Sequence, residues 1–254
     1  MTVYSEPLYY EVAFSFVDPK RQADLFEELI CRYSRIGVRR VLDVGCGPSF
    51  QLRELARRGY EAVGLDISPR MLEYLEEAAK REGVRVETVL ADMTSFRLVE
   101  PVDFAFNMMG TISYVRDNAA MLSHLASVAA SLKPGGLYLI ENFRLDWTRL
   151  FGSQSWTMER DGVSVKTTYE IRLVDALSQT LAERMTLDVD NHGERRTLVE
   201  DSETKMIFPQ EFLTLVETGG EFEFLGWFRR EKVEKLTEAS NDNVVLLRRR
   251  NGHG

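Results

Sequence analysis

Cysteine is nearly absent: only Cys31 and Cys46 occur in 254 residues, and they form no C-x-x-C pair. The three histidines, His124, His192 and His253, show no metal-ligand spacing either. Reduced thiols and no structural metal are therefore expected. Long apolar runs are missing too, and nothing approaches the roughly 20 residues that span a bilayer, so no membrane segment is expected. Met1 to Pro7 has no basic start followed by an apolar stretch and does not read as a secretory signal. A cytoplasmic location is the expectation. Positive charge is in deficit, with 32 Lys and Arg against 40 Asp and Glu. That balance argues against a broad nucleic-acid footprint, and the clusters Arg229-Arg230 and Arg248-Arg249-Arg250 read as solvated strand ends. Internal repeats and low-complexity segments are also lacking, and this length suits one α/β domain carrying an insertion.

What is present is a rhythm. Lys20 to Tyr33 sets Ala23, Leu25, Phe26, Leu29 and Ile30 at helical spacing. Then β-rich runs alternate with helical ones: strands at Val41 to Val44, Ala62 to Leu65, Val84 to Leu90, Val102 to Asn107 and Gly136 to Glu141, with helices at Gln51 to Arg58, from Pro69, and at Asn118 to Leu132. Such alternation predicts a parallel sheet covered on both faces. After Asp146 it breaks. Trp156 to Arg160, Val163 to Leu173, Thr180 to Val189 and Arg195 to Lys205 follow one another through turns such as Asp161-Gly162 and Asn191-His192-Gly193. These are hairpin signals, and the near alternation of Leu181, Met185, Leu187 and Val189 predicts an antiparallel sheet with one face covered. A helix from Pro209 and strands at Phe222 to Phe228 and Val244 to Arg248 close the chain. The expected fold is a doubly wound, seven-stranded, mostly parallel sheet with an antiparallel β cap inserted after the fifth strand. The expected division is a helical lid segment at 1–38, a core at 39–150, the cap at 151–208 and the rest of the core at 209–254.

The sharpest motif is Val41-Leu42-Asp43-Val44-Gly45-Cys46-Gly47-Pro48-Ser49, a strand that enters a tight Gly-x-Gly turn and then a helix. Glycines there let backbone approach a ligand, and the helix N-terminus favours anionic groups. Asp66 ends the next strand about 20 residues on, where an acidic side chain can accept from both ribose hydroxyls. A dinucleotide site would require a third glycine where Phe50 stands, so NAD is disfavoured. Cys46, with no histidine near it in sequence, reads as structural. His124 and His192 read as surface residues.

Val41 to Ser49 resembles the first motif of class I (Rossmann-like) S-adenosylmethionine (SAM)-dependent methyltransferases, with Asp43 as the acidic residue two before the first glycine. The resemblance continues through Gly64-Leu65-Asp66-Ile67-Ser68 with Met71, through Ala91-Asp92-Met93, and through Lys133-Pro134-Gly135-Gly136, spanning about Val41 to Glu141. Where the family commonly continues Gly-Thr-Gly, this chain has Gly47-Pro48-Ser49. The resemblance implies SAM as cofactor and S-adenosylhomocysteine as product. It implies Gly45 and Gly47 beneath the methionine moiety, Asp43 ordering the turn and Asp66 on the ribose. It further implies Ile67 on the adenine face, Asp92 and the Met93 amide reading the adenine edge, and Asn107 near the methionine end. The other readings are that Asp66 and Asp92 cap local turns and that Ile67 is ordinary core. Leu8 to Phe14 is similar to the aromatic segment that small-molecule members fold over the cofactor, with Tyr10 reaching its carboxylate; alternatively both tyrosines pack the first helix.

Methyl transfer needs an acceptor lone pair held near the methyl group and water kept out, with a base only for some acceptors. Tyr114, which orients or deprotonates the acceptor unless it merely packs, and Glu141, a base or amine anchor with Asn142 beside it, are the catalytic candidates. In position and strand content the insert resembles the antiparallel cap of amino-sugar N-methyltransferases. The expected function is methylation of a small-molecule amine or hydroxyl, with a homodimer through the cap as a possible assembly and nucleic acid disfavoured. The alternatives are an RNA or protein acceptor, or a non-catalytic SAM-binding module.

Overall fold

The computed structural model describes residues 2–141, 143–146 and 150–251. Helix α1 (Pro7–Ala13) follows a short 3-10 turn at Val3–Ser5, and α2 (Pro19–Tyr33) begins where Asp18 accepts from the Lys20 and Arg21 amides. The same device starts three core helices. Ser49 accepts from the Leu52 amide at α3 (Phe50–Arg57), Ser68 from Met71 at α4 (Pro69–Arg81), and Asp117 from Ala120 at α5 (Asn118–Ser131). A side-chain cap of this kind stabilises a helix by about 1 kcal/mol. Helix α6 spans Pro209–Gly219. No helix among the described residues is long and apolar enough to cross a membrane.

Strands β1 (Arg40–Val44), β2 (Glu61–Asp66), β3 (Val86–Leu90), β4 (Val102–Asn107) and β5 (Leu132–Glu141) run parallel. They are joined by β10 (Phe222–Arg229), β11 (Lys232–Lys235) and β12 (Asn243–Arg249) in the order β11-β10-β12-β5-β4-β1-β2-β3, with the last three antiparallel. The chain starts at β1, winds outward to β3 and returns to β4 on the other side of β1. The crevice beyond the C-terminal ends of β1 and β4 is therefore the switch point where such sheets bind ligands. Alternate residues feed two cores: Leu42 and Val44 pack with α5 and α6 residues on one face, and Val41 with α2, α3 and α4 on the other. Fully buried Leu29 and Leu55 each stabilise the fold by roughly 2 kcal/mol.

The sheet has eight strands rather than the expected seven. The extra one, β11, is the edge strand Lys-Val-Glu-Lys, which buries only Val233. Four residues with one buried side chain leave no alternation to read, and charge on an edge strand blocks unwanted pairing. The insert forms the separate antiparallel sheet β6 (Gly152–Arg160), β7 (Val163–Asp175), β8 (Thr180–Asn191) and β9 (Glu194–Lys205). Helix α1 packs on it: Val12 and Phe14 cluster with Val165, Leu187 and Leu198, and the Trp156 indole donates to the Ala13 carbonyl at 2.8 Å. Glu11 ties α1 to a core helix and to the second sheet, pairing with Arg53 of α3 at 3.3 Å and Arg160 of β6 at 2.8 Å. Its carboxyl stays below the usual range. Burial pushes it up, but the guanidiniums of Arg53 and Arg160 outweigh that.

Candidate functional site

The turn after β1 is built by backbone bonds. The Gly45 and Cys46 amides both donate to the Leu65 carbonyl of β2, at 2.7 and 2.9 Å. Gly45 has φ +72°, and a Cβ there would lie 2.5 Å from Thr111 Cγ2, so the loop after β4 rests against bare backbone. Ser49, where the related motif commonly has glycine, also takes a positive φ, +28°. Its hydroxyl offsets that strain twice, donating to Asp43 Oδ2 at 2.6 Å and accepting from the Leu52 amide at 3.1 Å. Asp43 Oδ1 is buried with no partner among the described residues. Burial pushes the Asp43 carboxyl up to about 8; the charges of Asp66 and Glu141 add to this and the Ser49 bond opposes it. Ser49→Ala removes a helix cap and a buried carboxyl's partner, and is expected to cost about 2 kcal/mol. Thermal unfolding reads this as a loss of roughly 5 °C. Ser49→Gly, which relieves the positive φ, should lose less.

The second acidic residue joins two strand ends. Asp66 accepts from the Gly47 amide at 2.7 Å and the Ser68 amide at 2.8 Å, and burial raises its carboxyl against those two bonds. Ile67 beside it is 69% exposed. An apolar side chain left open on a cavity wall is a surface for a flat ligand. Asp92 takes both the Thr94 amide and the Thr94 hydroxyl on Oδ1, each at 2.7 Å, and these bonds hold its carboxyl below the usual range. Behind this loop stands His124. Since a carbonyl only accepts, Nδ1 carries the proton and donates to Met93 O at 2.8 Å, and the Tyr138 hydroxyl donates to Nε2 at 2.7 Å. Complete burial holds this imidazole down to about 4. It is a core residue that positions the Met93 loop, not the surface residue expected.

These groups enclose a cavity of about 570 Å³, a size that suits a small-molecule cofactor. Its wall includes Tyr10, Asp43, Gly45, Gly47, Asp66, Ile67, Asp92, Met93 and Tyr114. The roof is aromatic. Tyr4 and Tyr114 share a 2.6 Å hydroxyl bond, Tyr114 donates to Ser202 of β9 at 3.4 Å, and the Tyr10 ring packs tilted against Phe14. Burial is the main cause raising the hydroxyls of Tyr4, Tyr10 and Tyr114.

Two expected residues lie outside the wall. Asn107 is buried beneath the turn, with Nδ2 donating to Val44 O at 2.6 Å. Glu141, 1% exposed, accepts from the Met109 amide at 2.7 Å and faces Arg230 at 3.5 Å. It fixes the turn at Met109, whose φ is +59°. Asn142 lies outside the described residues. Cys46 is buried, which pushes its thiol well up, so the helix start does not activate it. Sequence reasoning passed over Tyr4, Thr94 and Thr111. Of these only Thr94 carried a local signal, the Asp-x-Thr turn.

Residues 41–136 match the methyltransferase-domain family. A demethylmenaquinone methyltransferase of Tropheryma whipplei is 33% identical over 103 residues, 41% of either chain. A dTDP-3-amino-3,4,6-trideoxy-alpha-D-glucopyranose N,N-dimethyltransferase of Streptomyces venezuelae is 26% identical over 133 residues, 49% of this chain and 52% of that one. The chain spans about half the length of the curated relatives it matches. A SAM-dependent methyltransferase structure from Clostridium acetobutylicum superposes with TM-score 0.80 over 96% of this chain and 97% of that one, at 16% identity. At that identity the likeness is one of fold, and it extends over the cap.

Proposed function

We propose that this chain, whose residues 41–136 match the methyltransferase-domain family, binds SAM in the cavity and transfers a methyl group to a small molecule. One observation carries the reading: the cavity wall combines two chemically different sets of groups. Open Ile67 with the carboxylates of Asp66 and Asp92 suits an adenosine. Asp43 Oδ1, buried by the glycine turn with no partner among the described residues, suits the ammonium of the methionine part. In this reading Asp66 accepts from the ribose hydroxyls, and Asp92 with the Met93 amide meets the adenine edge. Gly45 and Gly47 lie under the methionine chain, and Tyr10 reaches its carboxylate. SAM, when bound, supplies an electrophilic methyl on a sulfonium sulfur.

The protein's own task is positioning and exclusion of water. Tyr114 acts by orientation, because a phenol raised by burial is a poor base. Asn107 and Glu141 serve from behind, holding Val44 and Met109. The lid at 1–38 and the cap at 151–208 close over the core at 39–150 and 209–254. The acceptor proposed is an amine or hydroxyl of a small molecule, with an amino sugar as the preferred class because of the cap and the Streptomyces venezuelae relative. A homodimer through the cap is part of the proposal, tested by light scattering in solution.

The test incubates the protein with methyl-labelled SAM and a cell extract divided into small molecules, RNA and protein. Label is expected in the small-molecule fraction. Label in RNA or protein instead overturns the acceptor class, and confirmed SAM binding with no label anywhere leaves a binding module.

A further inference from the structure

The inner face of the cap changes character along its length. Register places Leu187 opposite Leu198, Met185 opposite Glu200 and Glu183 opposite Ser202, so these side chains share one face of β8 and β9. Helix α1 covers the apolar end at Leu187 and Leu198. The other end carries two carboxylates on diagonal positions, about 7 Å apart by sheet geometry, and they are treated differently.

Glu183 is fully engaged by Arg144, the Tyr169 hydroxyl and the Thr204 hydroxyl. Glu200 Oε2 is out of solvent with no hydrogen-bond partner, and no cation pairs with Glu200 among the described residues. Arg144 Nη1 is likewise out of solvent and has no hydrogen-bond partner among the described residues. Two residues beyond Glu200 on the same face, Ser202 meets the Tyr114 hydroxyl of the cavity roof. After burial, the charge of Glu200 is among the causes that raise both Tyr4 and Tyr114, so it lies close to that roof. Both atoms flank Glu183, Arg144 as its ion-pair partner and Glu200 as its diagonal neighbour. A polar atom kept from water without a partner carries an uncompensated desolvation cost, so an open acceptor and an open donor around one residue have the form of a site that lacks its ligand.

We infer that Glu200 and Arg144 form the acceptor subsite, in which Glu200 Oε2 accepts an N–H from the acceptor amine and Arg144 Nη1 donates to a neighbouring hydroxyl oxygen. This rests on the methyl-transfer reading and narrows it from amine or hydroxyl to amine. Nitrogen gains positive charge as it is methylated, and a carboxylate that is in no ion pair among the described residues favours that change, while the charge of Arg144 is already met by Glu183. An alcohol that becomes an ether gains nothing comparable.

The experiment measures binding by calorimetry to protein loaded with S-adenosylhomocysteine. The probes are a nucleotide-linked 3-amino-3-deoxyhexose and its 3-hydroxy analogue. Wild type is expected to bind the amine about tenfold tighter or more, as for one charge-assisted hydrogen bond. Glu200→Gln, which keeps the shape, should abolish that preference while leaving SAM affinity and melting temperature unchanged. Val199→Ala, on the outer face of the same strand, should retain it. A preference that survives Glu200→Gln overturns the assignment, as does a wild-type protein that binds SAM but shows no preference for the amine. Failure of wild type to bind SAM at all would instead sink the methyl-transfer reading beneath it.

Discussion

Asp66→Ala is expected to weaken SAM binding by about two orders of magnitude. In the proposed complex this carboxylate accepts from two ribose hydroxyls, and hydrogen bonds to a charged group are each worth about 1.5–3 kcal/mol, so losing both costs about 3 kcal/mol or more. The same carboxylate already accepts from the Gly47 and Ser68 amides. Removing it therefore also releases the glycine turn from the end of β2, and the two losses act in the same direction. Asp66→Asn separates them. Its amide oxygen still accepts from one backbone N–H or one hydroxyl, but its NH₂ must face a donor, so an intermediate affinity is expected. Calorimetric titration with SAM measures all three proteins. An Asp66→Ala variant that binds SAM within a few-fold of wild type would remove the ribose contact from the proposal.

The parts of this site that the sequence announced are those where chemistry is local. Gly-x-Gly after an apolar strand, Ser or Asp before a helix, and an acidic residue at the end of the second strand each express a backbone requirement within a few residues. Their placement in the structure follows the same short range. What could not be read depends on pairing between distant segments. Glu141 has the character of a base until Met109, 32 residues away, is seen donating to it. Ser49 looked like a mere departure from a motif, and only its bonds to Asp43 and Leu52 explain why a serine tolerates φ +28°. Glu200 sits on an alternating strand among residues that look solvated, and only the register with β8 places it on the covered face. His124 is different, because the signal was there. Met121, Leu125 and Val128 fix the buried face of α5, and position 124 falls on it. A histidine is polar, but the Tyr138 hydroxyl and the Met93 carbonyl satisfy that polarity in the core.

SAM affinity is expected to rise with pH between 6 and 8, by as much as about tenfold per unit. The cause is Asp43, whose burial pushes its carboxyl up to about 8 while Oδ1 has no partner. Below that value the unliganded protein holds a proton there. An ammonium at Oδ1 favours the carboxylate, so binding must expel the proton, and affinity grows as pH removes that cost. Above about 8 this group contributes no further change. The ligand's own α-amino group ordinarily titrates near 7.7–8.0, so affinity should fall again on the alkaline side, giving a maximum near pH 8. The same shift has an opposite consequence for the empty protein. Between the unfolded carboxyl value of about 3.9 and the folded value, the native state holds a proton that the unfolded chain has lost, so stability declines as pH rises through that window. Asp43→Asn is expected to flatten both dependences on the acid side. Titration at pH 7 in buffers of different ionisation enthalpy should detect close to one proton released per SAM bound by wild type and close to none by Asp43→Asn. An affinity that stays level from pH 6 to 8 in wild type would mean that Asp43 does not meet the cationic end of the ligand, and its role would shrink to ordering the turn through Ser49.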